Sequence, residues 1–332
     1  MAEKEVRIGV VGTGGMGQAH IRRLAEIPQA RLVALCDWDE QKVRSVAEPL
    51  GAAVYTDGAK MIANADLDAL YICVPPHTHE DLEIRAAEKG LHLYVEKPVN
   101  LYIDRARKAW EAIRKAGVMS QVGYQLRYQP NVQQLRAFLA DKMVGTAHVY
   151  RWSGTPEKDW WHRYDQGGGQ LVEMTTHQVD ILRWVMGEIE AVAAGYSFDR
   201  LFRGQPGLTV PDSQAVLLRF ASGASATLNT SCAAGKGWKG DTEFVIKDGR
   251  VSLQSDGVKV EPEGSYPIPP LPTETMSADE AFVRAVATGN RDLLLSPYDD
   301  GLKSCAVTLA ANLSAENGGR LVKVEEVLGP LA

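Results

Sequence analysis

Val6-Arg7-Ile8-Gly9-Val10-Val11-Gly12-Thr13-Gly14-Gly15-Met16-Gly17 is the stretch that decides the fold. Its first six residues read as a buried strand, and from Gly15 to Ile27 the apolar spacing becomes that of a helix, which Pro28 follows. Between the two, Gly12, Gly14 and Gly17 stand in GxGxxG order, in the strand–turn–helix context that gives a dinucleotide fingerprint its meaning. Gly12 suits the tight turn, Gly14 lets a pyrophosphate come up to the backbone, and Gly17 lets helix and strand lie close. Thr13, Gly15 and Met16 complete the loop, and the helix start offers N–H groups and partial positive charge to phosphates.

Working outward, the pattern alternates. Arg31–Cys36 reads as a strand, Glu40–Leu50 as a helix, Ala53–Tyr55 and Leu67–Val74 as strands, and Glu80–Lys89 as a helix. Leu91–Val95 is a further strand, Ile103–Ala116 a helix and Met119–Val122 a strand. Such βαβ alternation implies a parallel sheet covered on both faces. Asp37 follows the second strand, 20 residues beyond Gly17, where a carboxylate accepts hydrogen bonds from the adenosine ribose. It would repel a 2′-phosphate. Trp38, Asp39 and Glu40 supply no cation, and the nearest bases, Lys42 and Arg44, fall within the next helix, so NAD is favoured over NADP.

Beyond Gly123 the texture changes. Thr146–Trp152, Val216–Phe220, Ser225–Ser231, Glu243–Ile246 and Arg250–Leu253 are strands that succeed one another through turns, the pattern of an open, largely antiparallel sheet. Tyr266–Pro272 is an extended connector because its prolines permit neither helix nor central strand. Ala278–Ala287 and Asp300–Glu316 resume as helices. Two α/β domains are expected, 1–123 and 124–332, with the helix at about 300–316 packing back on the first.

The chain has 332 residues, 45% hydrophobic and 23% charged, with a formal charge of −6. That composition suits a globular protein and argues against a nucleic-acid surface, which needs a basic face. Cys36, Cys73, Cys232 and Cys305 show no CxxC spacing, so neither a zinc site nor a disulfide framework is expected. No signal peptide or membrane span is read, and the reading is a cytoplasmic protein.

Two stretches carry candidate chemistry. Glu96-Lys97-Pro98 closes the Leu91–Val95 strand, and strand carboxyl ends are where open α/β sheets bind ligands. Gly167-Gly168-Gly169 leads into an apolar-spaced segment read as one helix from Leu171, on which Glu173, His177 and Asp180 share a face and Glu173 is placed to orient His177. Val74 and Pro75 open the turn that ends at His79; its histidines have no partners at metal-ligand spacing, so no metal is expected, His79 lines the cofactor and Thr78 caps the helix near Glu80. Gln125 and Arg127, past the hinge, are candidates for the nicotinamide amide and for substrate. Trp161 and Arg163, in an aromatic run, are candidates for stacking on a sugar and binding its hydroxyls. The loop Gly235–Gly240 offers a further cation in Lys236 or Lys239.

With the glycine fingerprint, Pro75–His79, Glu96-Lys97-Pro98, Arg127-Tyr128-Gln129-Pro130, the triple glycine leading to His177 and Asp180, and the closing segment Asp300–Val324, the chain resembles the Gfo/Idh/MocA family of nicotinamide-dependent sugar and polyol oxidoreductases. The resemblance implies a Rossmann domain joined to an α/β domain whose open sheet often forms an oligomer interface, hence a homodimer or homotetramer. It implies that Lys97 and His177 are catalytic and that position 173 is a substrate or catalytic carboxylate. Glu173 departs from the usual aspartate, and Thr175 stands where glycine is frequent.

The reaction such residues suit is hydride transfer from a secondary alcohol to NAD with removal of the hydroxyl proton. For lysine to be the base its pKa must fall by about three units from roughly 10.4, whereas histidine, at roughly 6.5, needs almost no shift. His177 as base with Lys97 polarising the oxygen is preferred, and the reverse stays open. A redox-neutral glycoside hydrolase or epimerase and a non-catalytic NAD sensor are the competing classes.

Overall fold

A computed structural model describes residues 4–331. Contacts divide the chain into two units: residues through Gln125 together with Met276–Leu302, and Leu126–Thr275 together with Lys303–Leu331.

The first unit runs β1 (Val6–Val11), α1 (Gly15–Ala25), β2 (Ala30–Cys36), α2 (Glu40–Ala47), β3 (Ala53–Tyr55), α3 (Gly58–Asn64), β4 (Ala69–Ile72), α4 (Leu82–Glu88), β5 (His92–Val95), α5 (Ile103–Ala116) and β6 (Ser120–Val122). The six strands are parallel in the order β3-β2-β1-β4-β5-β6, the doubly wound arrangement of a dinucleotide-binding sheet. β1, β4 and β5 are apolar runs buried almost throughout, as strands covered on both faces must be. Their register places Cys36, Val11, Ile72, Val95 and Val122 in one row. The residues immediately after that row are Asp37, Gly12, Cys73, Glu96 and Gly123, so the first unit's candidate residues leave the sheet together at its carboxyl edge.

The second unit contains α6 (Pro130–Leu139), β7 (Val144–Ser153), α7 (Asp159–His162), α8 (Tyr164–Gly167), α9 (Gly169–Glu173), α10 (Thr176–Met186), β8 (Ile189–Ser197), β9 (Ser213–Phe220), β10 (Ser225–Ser231), β11 (Trp238–Ile246), β12 (Gly249–Gln254) and β13 (Gly257–Glu261). After the connector come α11 (Ala278–Thr288), which belongs to the first unit, then α12 (Tyr298–Glu316), β14 (Val322–Lys323) and α13 (Val324–Leu328). The eight-stranded sheet has the order β13-β12-β11-β7-β10-β9-β8-β14; only β7 and β10 pair in parallel.

From Lys303 onward the chain is grouped with the second unit. Ser304 Oγ donates to Asp180 Oδ1 at 2.7 Å, Asn312 Nδ2 to the Gly168 carbonyl at 3.2 Å, and Ser314 Oγ accepts from the Ala194 N–H at 2.9 Å. The helix expected over about 300–316 therefore has only its first residues in the first unit. No helix among the described residues is long and apolar enough to cross a membrane.

Candidate functional site

In the first unit the glycine turn is built as a cradle. Gly12 has φ +92, and a Cβ there would meet the Cys73 carbonyl oxygen at 2.3 Å; a Cβ on Gly17 would meet the Gly12 carbonyl oxygen at 1.9 Å. Cβ positions on Gly14 and Gly15 meet nothing within 4 Å. α1 begins there with no side-chain cap and no acid in its first turn, so no side chain takes the N–H groups that a pyrophosphate would use. These residues fit a bound dinucleotide.

Asp37 is buried at the end of β2. Its Oδ2 accepts from the Thr13 N–H and Oγ1, each at 2.8 Å, and from Lys42 Nζ at 2.7 Å; Oδ1 accepts only a longer bond, 3.3 Å, from the Asp39 N–H. Burial alone would raise its pKa, but Lys42 and the Thr13 and Asp39 donors outweigh it and hold the carboxyl below its usual value. Oδ1 is thus the less engaged of the two oxygens. The sequence reading set Lys42 aside because it lies inside α2. One helical turn in fact returns its long side chain to Asp37, so a cation does stand against that carboxylate.

Lys97 follows β5 with its N–H donating to Glu96 Oε2 at 3.2 Å, and the Lys97–Pro98 peptide is cis. Glu96 Oε1 is 3.0 Å from His20 Nε2, and His20 Nδ1 is 2.5 Å from Asp279 Oδ1. His20 is fully buried, and burial would lower its pKa; the bonds to Asp279 and Glu96 prevail and raise it to about 9. The imidazole also lies edge-on to Tyr94, which stacks on Tyr71 at 4.6 Å. A buried charged chain, Asp279–His20–Glu96, thus stands behind Lys97. Sequence reasoning missed His20 and Asp279. The signal was a histidine three residues past Gly17, on the helix face that α1 buries.

Val74 and Pro75 are half-buried after β4. Thr78 does not cap a helix at Glu80: its Oγ1 donates to the Pro75 carbonyl at 2.8 Å, closing a 3-10 turn at Pro76–Thr78, and α4 starts only at Leu82. His79 is buried with Nδ1 2.6 Å from Glu83 Oε1, which fixes that side of the ring. The Gln125 side-chain oxygen is buried without a hydrogen-bond partner among the described residues, an acceptor suited to a carboxamide N–H.

In the second unit the expected single helix from Leu171 is two. α9 ends at Glu173 and α10 starts at Thr176; the Met174 and Thr175 N–H groups both bond to the Gln170 carbonyl, at 2.9 and 2.8 Å. The Thr175 hydroxyl sits 2.9 Å from that of Thr230 on β10, pinning the break to the sheet. Glu173 and His177 therefore project from separate helices rather than from successive turns of one. Glu173 Oε2 accepts from Trp161 Nε1 at 2.8 Å.

Asp180, three residues beyond His177, is bound elsewhere. Its carboxylate takes the Arg127 guanidinium in two bonds, Nε at 2.7 Å and Nη2 at 2.5 Å, with both residues buried. Arg127, expected at substrate, is thereby committed to an internal ion pair. Trp161, expected to stack on a sugar, is 1% exposed and packs with Phe202, Val210 and Cys232, so it has no open ring face. Arg163 is exposed and pairs with Asp165 at 3.2 Å. His177 lines a groove of ≈ 750 Å³ with Tyr150, Arg151, Gln178 and Trp238. Arg151 was not singled out from sequence.

Residues 6–124 match a family described as "Oxidoreductase family, NAD-binding Rossmann fold", and residues 132–252 match the GFO/IDH/MocA C-terminal domain. Myo-inositol 2-dehydrogenase of Thermotoga maritima is 29% identical, covering 98% of this chain and 100% of its own length. Inositol 2-dehydrogenase of Rubrobacter xylanophilus is 32% identical, covering 75% of this chain and 72% of its own. The crystal structure of a probable dehydrogenase from Thermotoga maritima superimposes with a TM-score of 0.80 at 26% identity, over 97% of this chain and 100% of that one.

Proposed function

The chain belongs to the GFO/IDH/MocA family of NAD-binding oxidoreductases, and on that premise we propose that it oxidises a secondary hydroxyl of a sugar, polyol or sugar acid, with Lys97 and His177 as the catalytic residues. The observation that carries this reading is the common row at the sheet edge: the glycine cradle, Asp37 and Lys97 all leave β1, β2 and β5 at one level. NAD, when bound, would supply the hydride acceptor. Gly12–Gly17 would hold its pyrophosphate, Asp37 its ribose, and Gln125 its carboxamide.

His177 takes the hydroxyl proton as the C–H bond gives up its hydride. Lys97 stabilises the negative charge that develops on the oxygen. Glu96, locked by His20, fixes the backbone from which Lys97 projects. Glu173, whose Oε2 accepts from Trp161, is the second unit's substrate or catalytic carboxylate in this reading. The partner is thus a small hydroxylated molecule, with a second copy of the chain joining through the second sheet, where Trp152, Leu217 and Val245 are exposed. A cytoplasmic setting is part of the same reading.

Incubating the purified protein with NAD and a panel of inositols, sugars and sugar acids, and following reduced nicotinamide, tests the reading. One or more compounds will give NADH in step with the ketone product. Bond cleavage or epimerisation without accumulating NADH would contradict it.

A further inference from the structure

Arg151 occupies the inward row of β7, in line with the buried Ala147, Val149 and Ser153. Its cross-strand neighbours are Thr230 on β10 and Gly240 on β11. A Cβ on Gly240 would meet the Tyr150 carbonyl oxygen at 2.7 Å and the Trp238 ring at 3.2 Å, so only glycine lets the strands and the Trp238 ring lie this close, and the Arg151 guanidinium lies over that ring, 5.7 Å from its centroid. There it lines the ≈ 750 Å³ groove that contains His177 and also the adjoining ≈ 620 Å³ pocket that contains Lys236.

The second unit's other inward arginines are paired: Arg127 with Asp180, Arg183 with Glu188. Arg151 is different. Among the described residues no carboxylate lies within ion-pair distance of it; Glu173 acts on it only through space, and burial lowers its pKa. A half-buried cation of this kind favours a ligand that brings the counter-charge. Beside it, the Gln178 side-chain oxygen is buried without a hydrogen-bond partner and lines the same groove, so it calls for a donor such as a hydroxyl.

We propose that Arg151 binds a carboxylate of the substrate, so that the preferred substrate is a sugar acid rather than a neutral sugar or polyol. The inference rests on the dehydrogenase reading above and narrows its substrate class. The planar fork of a guanidinium matches a carboxylate in two parallel bonds. Asp241 on the same groove disfavours a doubly charged phosphate and leaves a singly charged group the better fit. Gln178 then receives a hydroxyl of the same molecule.

The test compares D-glucuronate, D-galacturonate and D-gluconate with their neutral parent sugars and with myo-inositol, using the full-length protein and the variants Arg151→Met and Arg151→Lys. At least one acid will have the higher kcat/KM in the wild type. Arg151→Met will lower that value by about 10- to 100-fold, mainly through KM, as expected for losing a charge-assisted pair. Arg151→Lys will restore part of it, and the NADH dissociation constant will be the same in all three proteins.

Preference for a neutral sugar or inositol, or an Arg151→Met loss equal for acids and neutral compounds, overturns the assignment while leaving the dehydrogenase reading intact. If no compound reduces NAD, the dehydrogenase reading fails, and calorimetry of the acids with the NADH-loaded protein decides for Arg151 separately. Binding that Arg151→Met abolishes supports it, and absence of binding overturns it.

Discussion

His20 Nε2 stands 3.0 Å from Glu96 Oε1, so the helix that opens the glycine cradle is tied by a buried ionic bond to the residue before Lys97. A histidine raised to about 9 when folded, against roughly 6.5 unfolded, contributes its stability in full below pH ~6.5 and loses it as pH rises through about 9. Urea unfolding at pH 6 and pH 9.5 will therefore show the wild type less stable at the higher pH, by on the order of 3 kcal/mol. His20→Gln will be less stable at pH 6 and much flatter between the two. An unchanged pH dependence in the variant would show that His20 is not the group responsible.

Lys42 Nζ bonds to Asp37 Oδ2, so under the proposed role of Asp37 the choice of cofactor is expected to depend on the pair. Asp37→Ser removes the repulsion of a 2′-phosphate and releases Lys42 to meet it. NADP affinity, measured by quenching of protein fluorescence, is expected to rise about 10- to 100-fold in Asp37→Ser. Adding Lys42→Met is expected to cancel most of that gain. A gain that survives in the double variant would mean that Lys42 has no part in it.

The pair Arg127–Asp180 predicts a stability effect in place of a substrate effect. Arg127→Met leaves a buried carboxylate without its cation and is expected to lower unfolding free energy by about 3–5 kcal/mol. Arg127→Met with Asp180→Leu is expected to recover much of that loss, because neither charge is then buried alone. Calorimetric unfolding of the single and double variants measures it. A double variant as unstable as the single one would contradict the assignment.

The sheet of the first unit was legible strand by strand because GxGxxG, the apolar runs and Asp37 are local signals whose geometry follows from spacing. β8 went unread: Ile-Glu-Ala-Val-Ala-Ala-Gly-Tyr-Ser has few residues that favour strands, and it is fixed by pairing with β9 and β14. The break between α9 and α10 was also hidden, since Thr175 is tied to Thr230, more than fifty residues away. For the same reason Arg127 read as a substrate contact: its partner Asp180 is distant in sequence and looked like part of a helical face. Lys97 and His177 are expected at the site from their motifs alone, whereas the buried chain behind Lys97 draws on Asp279, far along the sequence.

The central claim is that Lys97 and His177 carry the proton and oxyanion work of a hydride transfer to NAD. The pH dependence of kcat for wild type, Lys97→Met and His177→Ala, with an active alcohol substrate and saturating NAD, tests it most directly. Each variant is expected to lose at least about 10²-fold in kcat while binding NADH as the wild type does, and His177→Ala is expected to lose the acidic limb of the profile. Wild-type rates and an unchanged profile in both variants would contradict the account.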